Sequence, residues 1–408
     1  MTNKPLFNVV CCIAASTLFS AAAPAPIITY RTLPDRIRKS NPDLAAARYL
    51  INEAVGRMHQ AGRLANPELS VGTAHDASFQ ERALTIGFSQ KFPMTNRLRL
   101  EKTIGKIKVK TATAEVANME RKLVAQSRQA LIEFLALAQR RRLLKDQIKV
   151  SSEFSAALKT LAAKGEVSII DAGQARLLNL QVTTELRELD AEEKALYGII
   201  KPLLGMKLTE PLIIGGDIET MRATTLPIDL NRRGDIRAAK YSINSAIREV
   251  ELEKARRYDD IAISGSASIE RSEDAPNGFE NETIAGIGIT IPLPLWNKNE
   301  GNIESAKARV SRKKLELTAL EQAIRHKSKA SNEEMRVWSK LVKEIDGTLI
   351  PEAAKQLKLA EKAYLEGLSD IQTVLRSREQ KLKLQSSRIT ALKNFHKARA
   401  AYESSLGL

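Results

Sequence analysis

Residues 289–310 read ITIPLPLWNKNEGNIESAKARV, and two kinds of chain meet inside them. Ile289, Ile291, Leu293 and Leu295 recur at every second position, the period of a strand. After Gly301 the apolar residues thin out and Ala, Lys, Arg and Glu take over, the composition of a long helix. Pro292 and Pro294 stand at the change. A helix of such length cannot hide its apolar stripe inside a small globule, so it needs neighbours of equal length.

The same join is written twice. KFPMTNRLRLEKTIGK at 91–106 matches PLPLWNKNEGNIESAK at 292–307, with Pro93 over Pro294, Asn96 over Asn297 and Lys106 over Lys307. GEVSIIDAGQAR at 165–176 falls over GLSDIQTVLRSR at 367–378, and LLGM at 203–206 over SLGL at 405–408. Upstream, NPDLAAARYLI at 41–51 matches RGDIRAAKYSI at 233–243, and RLANPELSVG at 63–72 matches RRYDDIAISG at 256–265. These matches keep one order at a spacing of about 200 residues, the mark of a tandem duplication. The chain divides into a leader (1–22), a first repeat (23–206), a connector (207–232) rich in prolines and paired glycines, and a second repeat (233–408).

Each repeat predicts a helix of roughly six turns, two strands, a very long helix, a tight turn and a returning helix. In the strands, Leu84, Ile86 and Phe88 alternate with Thr85, Gly87 and Ser89. Likewise Ile261, Ile263, Ala267 and Ile269 alternate with Ala262, Ser264, Ser266 and Ser268, and Ala285, Ile287, Ile289 and Ile291 with Ile284, Gly286, Gly288 and Thr290. One face is apolar, the other mostly small and polar. Polar loops are expected at 73–81 and 271–282. The long helices are expected over about 97–162 and 298–363, each on the order of 100 Å, with Pro351 interrupting the second. Such a hairpin either packs its apolar face on the helices or crosses a bilayer; four strands cannot close a barrel, so crossing requires an oligomer.

Composition agrees with long helices. The 408 residues carry 64 Lys+Arg against 48 Asp+Glu and only 4% aromatics, which suits thin helical layers better than a compact enzyme core. Basic residues interleave with glutamates, as in RVSRKKLELTALEQ, the pattern of a solvated helix rather than a nucleic-acid patch. The leader reads as a secretory signal: Lys4, the apolar LFNVVCCIAASTLF, then SAAAPAP, with Ser20-Ala21-Ala22 as the cleavage site. An uncleaved anchor helix and acylation of Cys11 or Cys12 are alternatives. Both cysteines lie there, so the mature chain has neither disulfide nor thiol nucleophile. Past the leader no uncharged run is long enough for a transmembrane helix.

Several stretches together resemble the outer-membrane efflux protein (TolC-like) family. They are NPDLAAARYLINEAVGRMHQAGRLANPELSVG, the FPMTNRLR and LPLWNKNEGNI junctions, and AYLEGLSDIQTVL, and the resemblance runs from about 35 to 408. IPLPLWNKNEGNIESA is most similar to the outer-membrane components of heavy-metal efflux systems. The fold this implies is mainly α with a small β part. Three chains, each with four strands and duplicated long helical hairpins, would form a twelve-stranded barrel in the outer membrane of a diderm bacterium, continued by an α-helical barrel in the periplasm.

The resemblance assigns places to particular residues. Pro93, Asn96, Pro294, Trp296 and Asn297 fall at the barrel-to-helix junction, where Asn297 or Asn299 can cap the helix and Gly301 lets chains approach closely. The turns KGEVS (164–168) and EGLSD (366–370) form the periplasmic tip. There Gly165, Val167, Ser168, Gly367, Leu368 and Ser369 match the motif that meets a periplasmic adaptor (membrane fusion protein), with Val167 and Leu368 exposed as anchors and the serines capping the returning helices. A plain turn explains the glycines and serines equally well. Where relatives carry gate aspartates this chain has Asp171, with Thr373 as its counterpart and Arg376 at another such position; Asp370 is a further acidic candidate. A charge that merely favours a helix start is the plainer account of Asp171.

The implied function is a passive, gated duct joined through the adaptor to an inner-membrane RND or ABC pump. A duct of type I protein secretion and a periplasmic helical scaffold are the alternatives. The scaffold draws support from the scarcity of girdle aromatics, since only Phe79, Phe88, Phe92, Tyr258 and Phe279 lie near the strands. No enzymatic chemistry is expected: no nucleophile–base–acid set is visible, and GIGIT and IIGGD are too short for phosphate loops. Neither cofactor nor metal site is expected. His59, His75, His326 and His396 are not at ligand spacing, and Met58, Met94, Met119, Met206, Met221 and Met335 are scattered.

Overall fold

The computed structural model describes residues 27–219, 221, 226–274, 276 and 278–408. The leader at 1–22, with Cys11 and Cys12, lies outside the described residues, as does part of the connector. A short strand β1 (Ile27–Ile28) precedes helices α1 (Leu33–Ser40) and α2 (Pro42–Gln60), strands β2 (Glu68–His75) and β3 (Arg82–Phe92), and helices α3 (Arg97–Ala163) and α4 (Ile169–Leu203). Strand β4 (Ile213–Ile214) lies in the connector and pairs in parallel with β1. The second repeat holds α5 (Gly234–Ala255), β5 (Ile261–Asp274), β6 (Gly278–Thr290), α6 (Glu300–Glu344), α7 (Ile350–Leu365) and α8 (Ile371–Ser405). The expected mainly helical duplicated hairpin, with four longer strands, is what forms.

The repeats share backbone detail as well as order. Both returning helices are 35 residues long. Gly165 and Gly367 turn the chain at the far end with φ of 77° and 71°, a region that L side chains rarely enter. Entry to α2 is capped: the Asn41 carboxamide oxygen accepts from the Leu44 N–H at 2.8 Å, and its amide donates to the Leu203 carbonyl at 2.8 Å. One buried side chain thus starts one helix and ties down the end of another.

α3 runs unbroken for 67 residues, about 100 Å at 1.5 Å per residue. Its matching segment in the second repeat is interrupted at Ile345–Leu349 by a π turn. Pro351 stands two residues beyond it. It has no N–H to give the Gly347 carbonyl, so the ladder slips one residue there instead of breaking.

The core is strung along these helices as separate clusters. Leu100, Ile104 and Leu252 pack nearest the strands. Leu33, Ile37 and Leu44 meet Leu123, Val124 and Leu131 farther along. Leu144, Val182 and Leu189 follow, and Leu158, Ala175, Ala360, Ile371 and Val374 close the far end. Two-helix-thick layers are filled by Leu, Ile, Val and Ala, and Phe395 is the one aromatic among the largest fully buried side chains. This is why so few aromatics suffice.

The strands form one antiparallel sheet ordered β2-β3-β5-β6, so the two repeats join through β3 and β5. The loops differ from expectation. The segment 271–282 is mostly strand, with Arg271 opposite Asn281 and Glu273 opposite Phe279, and β2 likewise continues to His75. Turn-rich composition misleads there because cross-strand pairing satisfies the backbone of polar residues as well as of apolar ones.

Candidate functional site

Register decides what each face of the sheet presents. Val71 pairs with Ile86, Ile86 with Ala267 and Ala267 with Ala285; one row down, Leu69, Phe88, Gly265 and Ile287 align. Directly opposed residues share a face. That face is apolar and uncovered among the described residues: Leu69 is 73% exposed and Ile287 90%. The other face aligns Ser70, Gly87, Ser266 and Gly286, then Ser89, Ser264 and Gly288. The alternation read from the sequence is therefore one continuous property of four strands. β2 and β6 are the edges, each paired on one side only among the described residues.

At the inner end, strand becomes helix. Pro93 directly follows β3, and Pro292 and Pro294 follow β6, where the ladder stops and an absent N–H costs nothing. The cap expected from Asn297 or Asn299 does not form. Asn96 and Asn299 occupy the N-cap positions, but neither side chain accepts from a helix N–H; the Asn299 carboxamide oxygen accepts from the Asn302 side chain at 2.6 Å. Asn299 instead adopts φ 57° and donates to the Glu253 carbonyl at 2.8 Å and carboxylate at 2.9 Å, while the Asn297 carboxamide accepts the Asn299 N–H at 3.0 Å. These bonds anchor α6 on the end of α5. A side chain at Gly301 would meet nothing within 4 Å, so no close approach within the chain requires glycine there.

Sequence reading missed what locks the junction across the repeats. Arg97, at the start of α3, reaches Asp260 before β5 at 2.7 Å and Glu101 at 3.1 Å. Isolated charges in a charge-rich sequence carry no spacing signal that would have identified this pair. Trp296, fully in view at 93% exposure, stands at the same level as Tyr258 and Phe92, while Phe79 and Phe279 stand at the outer end. These aromatics stand at the two ends of the sheet, where bilayer interfaces place them, whereas Phe88 lies mid-sheet on the apolar face.

The far end of the helices is a double tip. Gly165 and Gly367 make the two turns, and Leu368 is 77% exposed as expected. Val167 is not: it packs against the cluster of Leu158, Ala175 and Ile371, and the exposed apolar residues of its repeat are Ile169 at 81% and Ile170 at 66%. The turn curls Val167 inward and leaves the next two residues facing out. Ser168 caps α4, its hydroxyl accepting from the Ile170 N–H at 3.2 Å. Ser369 has no such role, because Asp370 is the cap of α8, accepting from the Thr373 N–H at 2.9 Å and hydroxyl at 2.7 Å. A carboxylate one residue later reaches the amides better placed for it.

The tip charges divide accordingly. The Asp370 carboxyl is held below the usual carboxylate range by the Thr373 hydroxyl and amide, with the Arg376 charge adding to this. Asp171 lies in the first turn of α4, half-buried, and its charge adds to burial in pushing the Tyr364 phenol up. Asp370 and Arg376 are brought together; among the described residues no hydrogen bond joins either to Asp171. The repeats touch here through the Gln174 and Gln372 side chains and through Arg378, which pairs with Glu361 at 2.6 Å over the Phe154 ring.

No helix among the described residues is long and apolar enough to cross a membrane, and no group of three or more His, Cys, Asp or Glu among them could hold a metal ion. A family model described as outer membrane efflux protein matches residues 33–196 and 227–408. The cobalt-zinc-cadmium resistance protein CzcC of Cupriavidus metallidurans is 23% identical over 271 residues, which span 65% of this chain and 63% of that protein. Nodulation protein T of Rhizobium leguminosarum bv. trifolii is 25% identical over 390 residues, 90% of this chain and 80% of the relative. Among solved structures, CusC superposes with a TM-score of 0.78 at 15% identity, covering 93% of this chain and 92% of that one. The open state of the Neisseria gonorrhoeae MtrE outer membrane channel gives 0.74 at 15% identity, covering 93% and 88%. At such identities the likeness is one of fold.

Proposed function

The chain belongs to the outer membrane efflux protein family, and from that premise we propose that it is the exit duct of a tripartite efflux system. The sheet carries this reading. Among the described residues its apolar face has no cover, its other face is mostly small and polar, and its two edges are open. Open edges and lipid are incompatible, so the sheet must close with copies of itself. Three four-stranded sheets make a twelve-stranded barrel with the serine and glycine face lining the lumen. The helices then carry the lumen about 100 Å into the periplasm.

Movement through such a duct is passive, and energy comes from an inner-membrane pump engaged through an adaptor. The adaptor meets the double tip at Gly165, Ser168, Gly367, Leu368 and Ser369, with Ile169 and Ile170 supplying the apolar anchors that Val167 does not. Asp171, Asp370 and Arg376 set the charge around the closed end. The cargo we assign to divalent metal ions, supported by the kinship with a cobalt-zinc-cadmium resistance protein. A conduit works without holding its cargo, and the lumen-facing Ser70, Gly87, Ser266 and Gly286 offer no tight ligand set.

Deleting the gene in its host and scoring growth on graded cobalt, zinc and cadmium tests the reading. Lost tolerance, restored by the full-length gene and not by one carrying charged residues at Ile169 and Leu368, is expected. Unchanged tolerance to all three metals would overturn the cargo; a protein found free in the periplasm would overturn the duct.

A further inference from the structure

The apolar face of the sheet ends in a row of different chemistry. His75 pairs with Arg82, Arg82 with Arg271 and Arg271 with Asn281, all on the face that carries Leu84, Ile86 and Phe88. Ten residue steps separate Arg82 from Phe92 at the other end of β3. At about 3.4 Å per step and a tilt of about 40°, they rise about 26 Å, against an apolar band of about 25 Å in such barrels. The row therefore sits at the outer edge of the hydrocarbon layer.

Arg82 and Arg271 are directly opposed like charges, an arrangement that costs stability when left alone. Among the described residues neither takes part in an ion pair, and both are exposed; Glu273 stands one row outward on the same face, its N–H bonded to the Glu81 carboxylate at 3.3 Å. Aromatic rings flank the row: the Arg271 guanidinium lies 5.3 Å from the Phe279 ring centre, and His75 stacks on Phe79 at 4.0 Å. At the same height the lumen face carries Ala83, Glu270 and Glu282 in register. Glu270 and Glu282 repel an anion approaching from the lumen, so an anion that meets the arginine pair comes from the lipid side.

We propose that Arg82 and Arg271 form a binding site for the phosphate groups of an anionic lipid in the outer leaflet. Two guanidinium forks side by side suit a phosphate, which accepts paired N–H donors, and a lipid supplies that group at the height where the row sits. The inference rests on the outer-membrane reading of the sheet.

The test uses the full-length protein, extracted in mild detergent, with a bis-phosphorylated glucosamine lipid as probe and native mass spectrometry as readout. The wild type is expected to retain the lipid, and the Arg82→Gln/Arg271→Gln protein at least about tenfold less. The dephosphorylated lipid should be lost from both, and millimolar inorganic phosphate should not displace the lipid, which separates a headgroup site from a free-anion site. Equal retention by both proteins, or equal retention of the dephosphorylated lipid, overturns the site. Failure of the wild type to fractionate with the outer membrane overturns the barrel as well, so the two failures are told apart. Circular dichroism of both proteins guards against misfolding, and an Arg82→Lys/Arg271→Lys protein that keeps partial retention separates charge from shape.

Discussion

At the scale of single residues, burial and exposure separate structure from contact. Ile169 and Leu368 lie in open solvent in the chain, so Ile169→Ser or Leu368→Ser should change folding stability by no more than about 0.5 kcal/mol while lowering efflux. Leu158→Ala, beneath the same tip and 2% exposed, should cost about 2–5 kcal/mol. Chemical denaturation beside a metal-tolerance assay distinguishes the two kinds of loss. His396 is a different case. Its Nε2–H donates to the Ile218 carbonyl at 2.9 Å, and burial holds the imidazole below its ordinary value of 6.5. The unfolded chain takes up a proton near that value and the folded one resists it, so the stability His396 contributes is whole above pH 6.5 and falls as pH drops below it. Thermal melts from pH 7 to 5 should fall less steeply for His396→Gln than for the wild type. Equal slopes would mean that His396 is not the group responsible.

At the scale of elements, the sheet's two faces make opposite demands. Ile287 is mid-belt on the apolar face, and Ile287→Lys should cost about 2–4 kcal/mol in the assembled barrel and block membrane insertion. Ser266→Lys points to the other face and should insert normally, altering conductance instead. A membrane-fractionation assay scoring both variants checks the assignment of faces. These elements were legible because period-two alternation and the duplicated proline junctions are local signals, readable without any contact. Val167 was misjudged because the direction of a turn residue depends on how its hairpin curls over Ala175 and Ile371, a contact between repeats. The cap at Asp370 in place of Ser369, and Arg97 held by Asp260, were hidden for the same reason: each is settled by three-dimensional placement among several chemically equivalent candidates.

At the scale of the whole molecule, one chain is an incomplete object. Its core is a string of small clusters along helices about 100 Å long, and its sheet leaves one apolar face and two edges unsatisfied. Clusters such as Leu144 with Val182 and Leu189 hold neighbouring helices together but cannot cover a lipid-facing sheet. On the duct reading assembly is therefore part of folding for this chain, and the connector explains how the repeats stay in step. Ile218 is buried against α8, and Arg388 of α8 ties Glu219 at 2.7 Å to Asp346 at 2.5 Å in the π turn. The carboxyl of Glu219 is held below its usual range mainly by that guanidinium. Arg388→Ala should loosen the second repeat at the π turn, seen as faster amide exchange around 345–349 than in the wild type, with the far tip unchanged.

The mass of the particle extracted from the outer membrane, read by native mass spectrometry, tests the central claim most directly. Three chains per particle, from a protein that fractionates with the outer membrane, is the result a closed twelve-stranded barrel requires. A water-soluble monomer or dimer would leave the apolar face of the sheet without lipid and contradict the duct.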